Sequence, residues 1–213
     1  LYVFKVAGTE TYIPGDINAD GKVDDTDLTS YTNYTGLRRG DSDFEGYVSV
    51  GDINRNDLID AFDISNVATR LDGGVEPDDY ANPLSGKVSY KASRSTDADG
   101  AEILAIEFTA DTVSSLNAIS VAIPYDQTQW EFVGSDTEAL KGMENMTYDR
   151  LHTDGHRELY PTFVNIGERK AVSGSGVSLF TLRFKARRKG ARFDTSTVRD
   201  GLLVDKKLNT LPF

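Results

Sequence analysis

Cysteine is absent from this 213-residue chain, which excludes disulfide staples and thiolate metal sites. Positive charge is scarce: 23 Lys and Arg stand against 34 Asp and Glu, a formal charge of −11 at pH 7. Binding to a phosphate backbone needs clustered Lys and Arg, so nucleic acid is excluded as a partner. Apolar runs stay short and no basic amphipathic stretch occurs, so no membrane span is expected. The chain opens on Leu1 rather than Met, as expected of a piece of a longer protein. A hydrophobic fraction of 38% over this length supports a buried core and is best divided between two domains.

The acid that is present is unevenly spread. Residues 16–27 hold five aspartates and residues 52–63 hold four, against Lys22 and Arg55. Carboxylates at that density repel one another unless a cation neutralises them. Their spacing points to the cation. In the first window Asp16, Asn18, Asp20, Asp24 and Asp27 occupy positions 1, 3, 5, 9 and 12 of a loop. This is the pattern with which an EF-hand-type loop wraps Ca²⁺ in hard oxygens. Gly21 at position 6 allows the sharp bend, Lys22 at position 7 offers its backbone carbonyl, and Val23 tucks under the loop. The second window repeats the pattern with Asp52, Asn54, Asn56, Asp60 and Asp63, with Leu58 offering the carbonyl and Ile59 beneath. It departs at position 6, where Asp57 must take the left-handed turn that Asp tolerates better than most residues. Three ligand carboxylates in the second loop against four in the first predict two Ca²⁺ ions, the first held more tightly.

Each loop begins Gly-Asp-Ile-Asn, ends on Asp, and leads into a helical stripe: Leu28, Tyr31 and Thr35 before Gly36, then Ile64, Val67, Ala68 and Leu71 before Gly73-Gly74. The aspartates at position 12 sit at the helix N-termini, where the helix dipole favours negative charge. On these residues the segment 14–74 resembles the dockerin type I module of cellulosome-type assemblies, in which two calcium loops each lead into a helix. The repeats start 36 residues apart, so residues 36–50 form an enlarged connector. The resemblance implies that loop positions 10 and 11 contact the partner; here these are Asp25 and Thr26, then Ala61 and Phe62. Phe62 reads either as an exposed anchor or as core.

Residues 1–13 read as the tail of a preceding module or linker, and residues 75–84, with two prolines and three acids, as a linker. From residue 85 to 213 the pattern has period two. Leu104, Ile106 and Phe108 alternate with polar or small residues, as do Ile119, Val121 and Ile123, then Phe180, Leu182, Phe184 and Ala186. This predicts half-buried antiparallel strands, about eight or nine, in an all-β sandwich. The succession Ile123-Pro-Tyr-Asp, Trp130-Glu-Phe-Val-Gly, a long polar excursion, then Val172 to Ala186 resembles the cohesin domain over residues 85–205. That family is a jelly-roll-like sandwich that receives dockerins; carbohydrate-binding modules share its architecture.

His152 and His156 flank Asp154-Gly155 and read as surface loop histidines rather than a zinc pair. Trp130 is expected to point into the sandwich, and Tyr125 and Tyr160 stay open between core and sugar platform. No phosphate loop or nucleophile elbow accompanies the many carboxylates, so no catalysis is expected. The chain thus reads as a small α calcium-loop module joined to a β-sandwich: a non-catalytic assembly fragment of a secreted or cell-surface multimodular protein, with a carbohydrate-active parent among the expectations. Its partner would be a cohesin-like or dockerin-like module in cis or in trans. A carbohydrate-binding module with polysaccharide as ligand, and a rigid extracellular spacer, are the alternatives.

Overall fold

The structure, a computed structural model, describes residues 13, 15–44, 47–71, 82–137, 139–166 and 171–213. Nearly all of the expected N-terminal tail, most of the expected linker and the Gly73-Gly74 stop lie outside the described residues.

Helix α1 (Asp25–Tyr34) grows out of the first acidic loop. Its start is fixed by a capping box, in which Asp24 accepts from the Thr26 N–H while Asp27 accepts from the Asp24 N–H. It stops where Gly36 turns left-handed, at φ 78°. A single-turn α2 (Tyr47–Val50) lies in the connector, and α3 (Ala61–Leu71) follows the second loop. Most of the expected stripes are buried: Leu28 and Tyr31 on α1 with Thr35 at its C-cap, and Ile64, Val67 and Ala68 on α3, where Leu71 is partly buried. The Tyr31 hydroxyl donates to the Gly51 carbonyl at 2.9 Å, pinning α1 to the entry of the second loop.

The remainder is a sandwich of two antiparallel sheets. The first has the order β1 (Ser85–Thr96), β2 (Glu102–Leu116), β9 (Val172–Ala186), β4 (Trp130–Asp136). The second centres on β3 (Ala118–Tyr125), with β10 (Arg199–Val204) and then β11 (Thr210–Pro212) on one side. On its other side β3 meets β8 (Thr162–Val164) along its first half and β7 (Arg157–Tyr160) along its second. Beyond them lie β5 (Glu144–Asn145) beside β8 and β6 (Tyr148–Leu151) beside β7. Pro161 separates β7 from β8: it has no N–H for the ladder, yet its carbonyl still accepts from the Val121 N–H at 3.2 Å. Eleven strands among the described residues exceed the expected eight or nine, because the long polar excursion folds into short strands that carry too few apolar residues to read as such.

The inward set matches the period-two reading. Leu104, Ile106, Phe108, Ile119, Val121, Ile123, Leu182 and Phe184 share one core with Trp130, which is 0% exposed. The outer face of β3 departs from it. Half-burial predicts Ala118, Ser120 and Ala122 at the surface, whereas all three are buried. Helix α3 lies across them, together with β8 and β10, so Ile59, Ile64, Val67 and Ala68 form one cluster with Ala118, Met146, Val164 and Val204. Small side chains on that face are what allow a helix to approach the sheet closely.

Candidate calcium loops and the face behind them

The two acidic loops are closed in the same way, by seven matched hydrogen bonds from backbone N–H groups to side-chain oxygens. Asp16 accepts from Asp20 and Gly21 at 3.1 and 2.9 Å, as Asp52 accepts from Asn56 and Asp57 at 3.0 and 2.8 Å. Asn18 and Asn54 accept from the same Asp20 and Asn56 N–H groups, and Asp20 and Asn56 accept from Lys22 and Leu58. Asp24 and Asp60 accept from Thr26 and Phe62. At position 12 the two oxygens of Asp27 accept from Ile17 and Asp24, both at 2.9 Å, and those of Asp63 from Ile53 and Asp60 at 2.7 and 3.0 Å. The turn that Gly21 makes at φ 86° is made by Asp57 at φ 68°, as the sequence requires. A second left-handed position, Ala19 at φ 64° and Arg55 at φ 58°, carries no glycine or asparagine to announce it.

Among the described residues no three carboxylates or imidazoles are already drawn together around one point. The side-chain oxygens are turned onto the backbone N–H groups instead. The donor set nonetheless suits a hard divalent cation, being all oxygen and largely carboxylate. Its electrostatics agree. Burial, followed by the charges of Asp52 and Asp200, pushes Asp60 up to about 6, although hydrogen bonds from Asn56 and Phe62 oppose it. Burial and the neighbouring Asp60 raise Asp63 well above the ordinary carboxylate range, and burial raises Asp52. A dication at this position would offset that mutual repulsion. At position 7 the backbone pairing of Arg38 with Leu58 uses the carbonyls of Leu37, Asp57 and Ile59 and passes over that of Leu58.

The residues at positions 10 and 11 fall in two different settings. Asp25 and Thr26 stand in solvent. Ala61 is 0% exposed, its N–H donating to Ser120 Oγ on β3 at 3.3 Å, and Phe62 is half-buried against the shared cluster.

The enlarged connector, with no role legible in its sequence, packs on the loop after β6. Arg150, 8% exposed, donates from Nε to the Thr35 carbonyl at 2.9 Å and from Nη2 to those of Asn33 and Thr35, both at 2.7 Å. These are end-of-helix acceptors of α1, where a cation also suits the dipole. Gly36 meets the Tyr160 ring so closely that a Cβ there would lie 2.2 Å from it. His152 is a correction to the surface-loop reading: it is 3% exposed, with Nδ1 2.7 Å from Asp41 and Nε2 3.0 Å from the Tyr160 hydroxyl. Only His156 stands at the surface, beside Asp154. Tyr160 is buried and donates to Glu158, while Tyr125 is half-buried and donates to Asp149. The Thr153 N–H donates to Asp41 at 3.1 Å, and the Ser42 N–H to Thr153 Oγ1 at 2.9 Å.

Glu158 collects the charge of this face, with Arg38 at 3.2 Å and Arg199 in direct contact. Burial alone would raise its carboxyl, but the His152 ring 3.6 Å away, the hydrogen bond from Tyr160 and the charges of Arg199 and Arg38 hold it at about 2, below its ordinary 4.5. A carboxylate depressed on folding contributes stability that is present above pH 4.5 and lost as the pH falls through about 2. The stability difference between the native chain and Glu158→Gln is therefore expected to be full at pH 5 and to shrink steadily between those two values, read from chemical denaturation at fixed calcium. A difference that does not change with pH would show that Glu158 does not titrate this way.

No curated protein matches this sequence. Among solved structures, a non-cellulosomal cohesin from the hyperthermophilic archaeon Archaeoglobus fulgidus is 12% identical over 59% of this chain and 83% of its own, with a TM-score of 0.40. A chain from a type II cohesin–X-dockerin complex of Acetivibrio cellulolyticus is 14% identical over 61% and 92%, with a TM-score of 0.42. A Clostridium acetobutylicum protein, CaCohA2, is 14% identical over 57% and 82%, with a TM-score of 0.36. Residues 14–72, which carry both acidic loops and the helices that follow them, match the family model of the dockerin type I domain.

Proposed function

We propose that this chain is a calcium-braced assembly unit of a secreted or cell-surface multimodular protein, one that also handles carbohydrate. Dockerin and cohesin modules are non-catalytic protein–protein assembly domains, and the chain pairs a dockerin-type segment with an antiparallel sandwich. Each loop takes one Ca²⁺. Asp16, Asn18, Asp20, Asp24, Asp27 and the Lys22 carbonyl hold the first ion; Asp52, Asn54, Asn56, Asp60, Asp63 and the Leu58 carbonyl hold the second. The observation that carries this reading is the matched closure of the two loops, hydrogen bond for hydrogen bond, around acceptors that are carboxylates or amides. The ions stabilise a small helical module with a limited core of its own, and millimolar extracellular calcium would keep even a weak site filled.

Calorimetric titration of the chelator-stripped chain with Ca²⁺ tests this. Two ions per chain are expected, with Asp16→Ala more damaging than Asp52→Ala because the first loop offers the greater charge. A stoichiometry other than two, or Mg²⁺ binding as well as Ca²⁺, would overturn it.

A further inference from the structure

We propose that the sandwich is the partner of the chain's own calcium-loop module, and that this closure in cis withholds the joined faces from a second copy. The proposal rests on the assembly reading only for the class of partner, a module of either kind.

The closed face has the marks of a fitted interface. Its centre is apolar: Ile64, Val67 and Ala68 of α3 lie over Ala118 of β3, Val164 of β8 and Val204 of β10. Its polar groups find partners across the boundary. The Arg150 guanidinium is spent on the last carbonyls of α1, the Ala61 N–H on Ser120, and both Asp41 oxygens on the His152 loop. Its shape is matched where Gly36 gives the Tyr160 ring room that no side chain could share. Separating the modules would bare an apolar helix face and an apolar sheet face together, and would strip Arg38 of both Glu158 and Asp154, while Glu158 keeps Arg199 of its own module. A tethered module also meets its neighbour at an effective concentration of about millimolar, so a second copy competes poorly for the same surface.

The chain has no cysteine, so a reporter pair can be placed at the edge of this contact, where Thr153 Oγ1 and Ser42 Oγ lie 3.5 Å apart and both residues are exposed. In the full chain carrying Ser42→Cys and Thr153→Cys with calcium bound, mild oxidation is expected to give an intrachain disulfide. It should run as a monomer on non-reducing gels, with a yield independent of protein concentration. A short bismaleimide captures the same pair if the disulfide geometry is poor. Interchain products, or thiols that escape both reagents, would overturn closure in cis.

Adding Ser120→Trp wedges the sheet away from the start of α3. The closing equilibrium constant is then expected to fall by about tenfold or more, the factor that overpacking such a contact produces, read as a lower urea concentration at which the intrachain yield halves, and the opened chain is expected to self-associate as concentration rises. An unchanged half-point would overturn the closure, and an opened chain that stays monomeric would overturn the withholding. Calcium stoichiometry, measured on the same variants, should stay at two ions throughout, so a loss there faults the calcium assignment and leaves the closure to the crosslinks.

Discussion

An Asp63→Ala chain is expected to lose one of two bound calcium ions and, with it, the cooperative fold of the helical segment at ordinary calcium levels. Asp63 is fully buried at the start of α3, and both its oxygens are in use, on the N–H groups of Ile53 and Asp60. Removing them strands two buried donors, at about 1–3 kcal/mol each. It also deletes a carboxylate from the second ion's shell. Because Ile53 opens the loop and Asp60 closes it, the same substitution unties the ring of hydrogen bonds at its knot. Asp63→Asn separates shape from charge: it keeps an oxygen acceptor and should retain more of the helix signal while still losing the ion. Thermal unfolding followed by far-UV circular dichroism, with calcium and with chelator, reads the helix, and calcium titration counts the ions. A variant that melts like the native chain and still binds two ions would mean that the second loop is not organised around Asp63.

Trp130→Ala is expected to destabilise the sandwich by about 3–5 kcal/mol. The indole is fully buried, faces Phe193 at 5.8 Å between centroids and donates from Nε1 to the Arg192 carbonyl at 2.9 Å. The alanine would leave a large hole in the first sheet and an unpartnered carbonyl beside it. This prediction also bears on the sugar-binding alternative. A stacking platform, once removed, would abolish retention on polysaccharide gels and leave the denaturation midpoint alone. A core residue does the reverse, and among the described residues the most exposed aromatic, Tyr90, is 39% exposed and packs on Phe108.

The local features of this molecule were legible because each is written in a few neighbouring residues. Asp and Asn at fixed loop positions, Leu28, Tyr31 and Thr35 ending at Gly36, and the alternation around Phe108 and Leu182 each point to one local structure. The joined face was not legible, for physical reasons. Ala118, Ser120 and Ala122 are small residues opposite an apolar row, which is also what a solvent-facing strand looks like. Arg150 sits in Tyr-Asp-Arg-Leu, where nothing local distinguishes a cation destined for a helix end 115 residues away. His152 reads as a turn residue because its turn is real; the burial comes from Asp41, supplied by a connector whose unusual length was the one available hint.

The same separation sets a schedule for biosynthesis. Thr35 meets Arg150 across 115 residues, and Ala61 meets Ser120 across 59. At about 5–20 residues per second of chain elongation, α3 leaves the ribosome several seconds before the first strand that covers it, and α1 waits longer still for its arginine. During that interval the apolar side of α3 is bare, which makes it the segment that a chaperone or a neighbouring nascent chain would meet. A permuted gene encoding the sandwich ahead of the loops would reverse the order, delivering the helix to a surface already built.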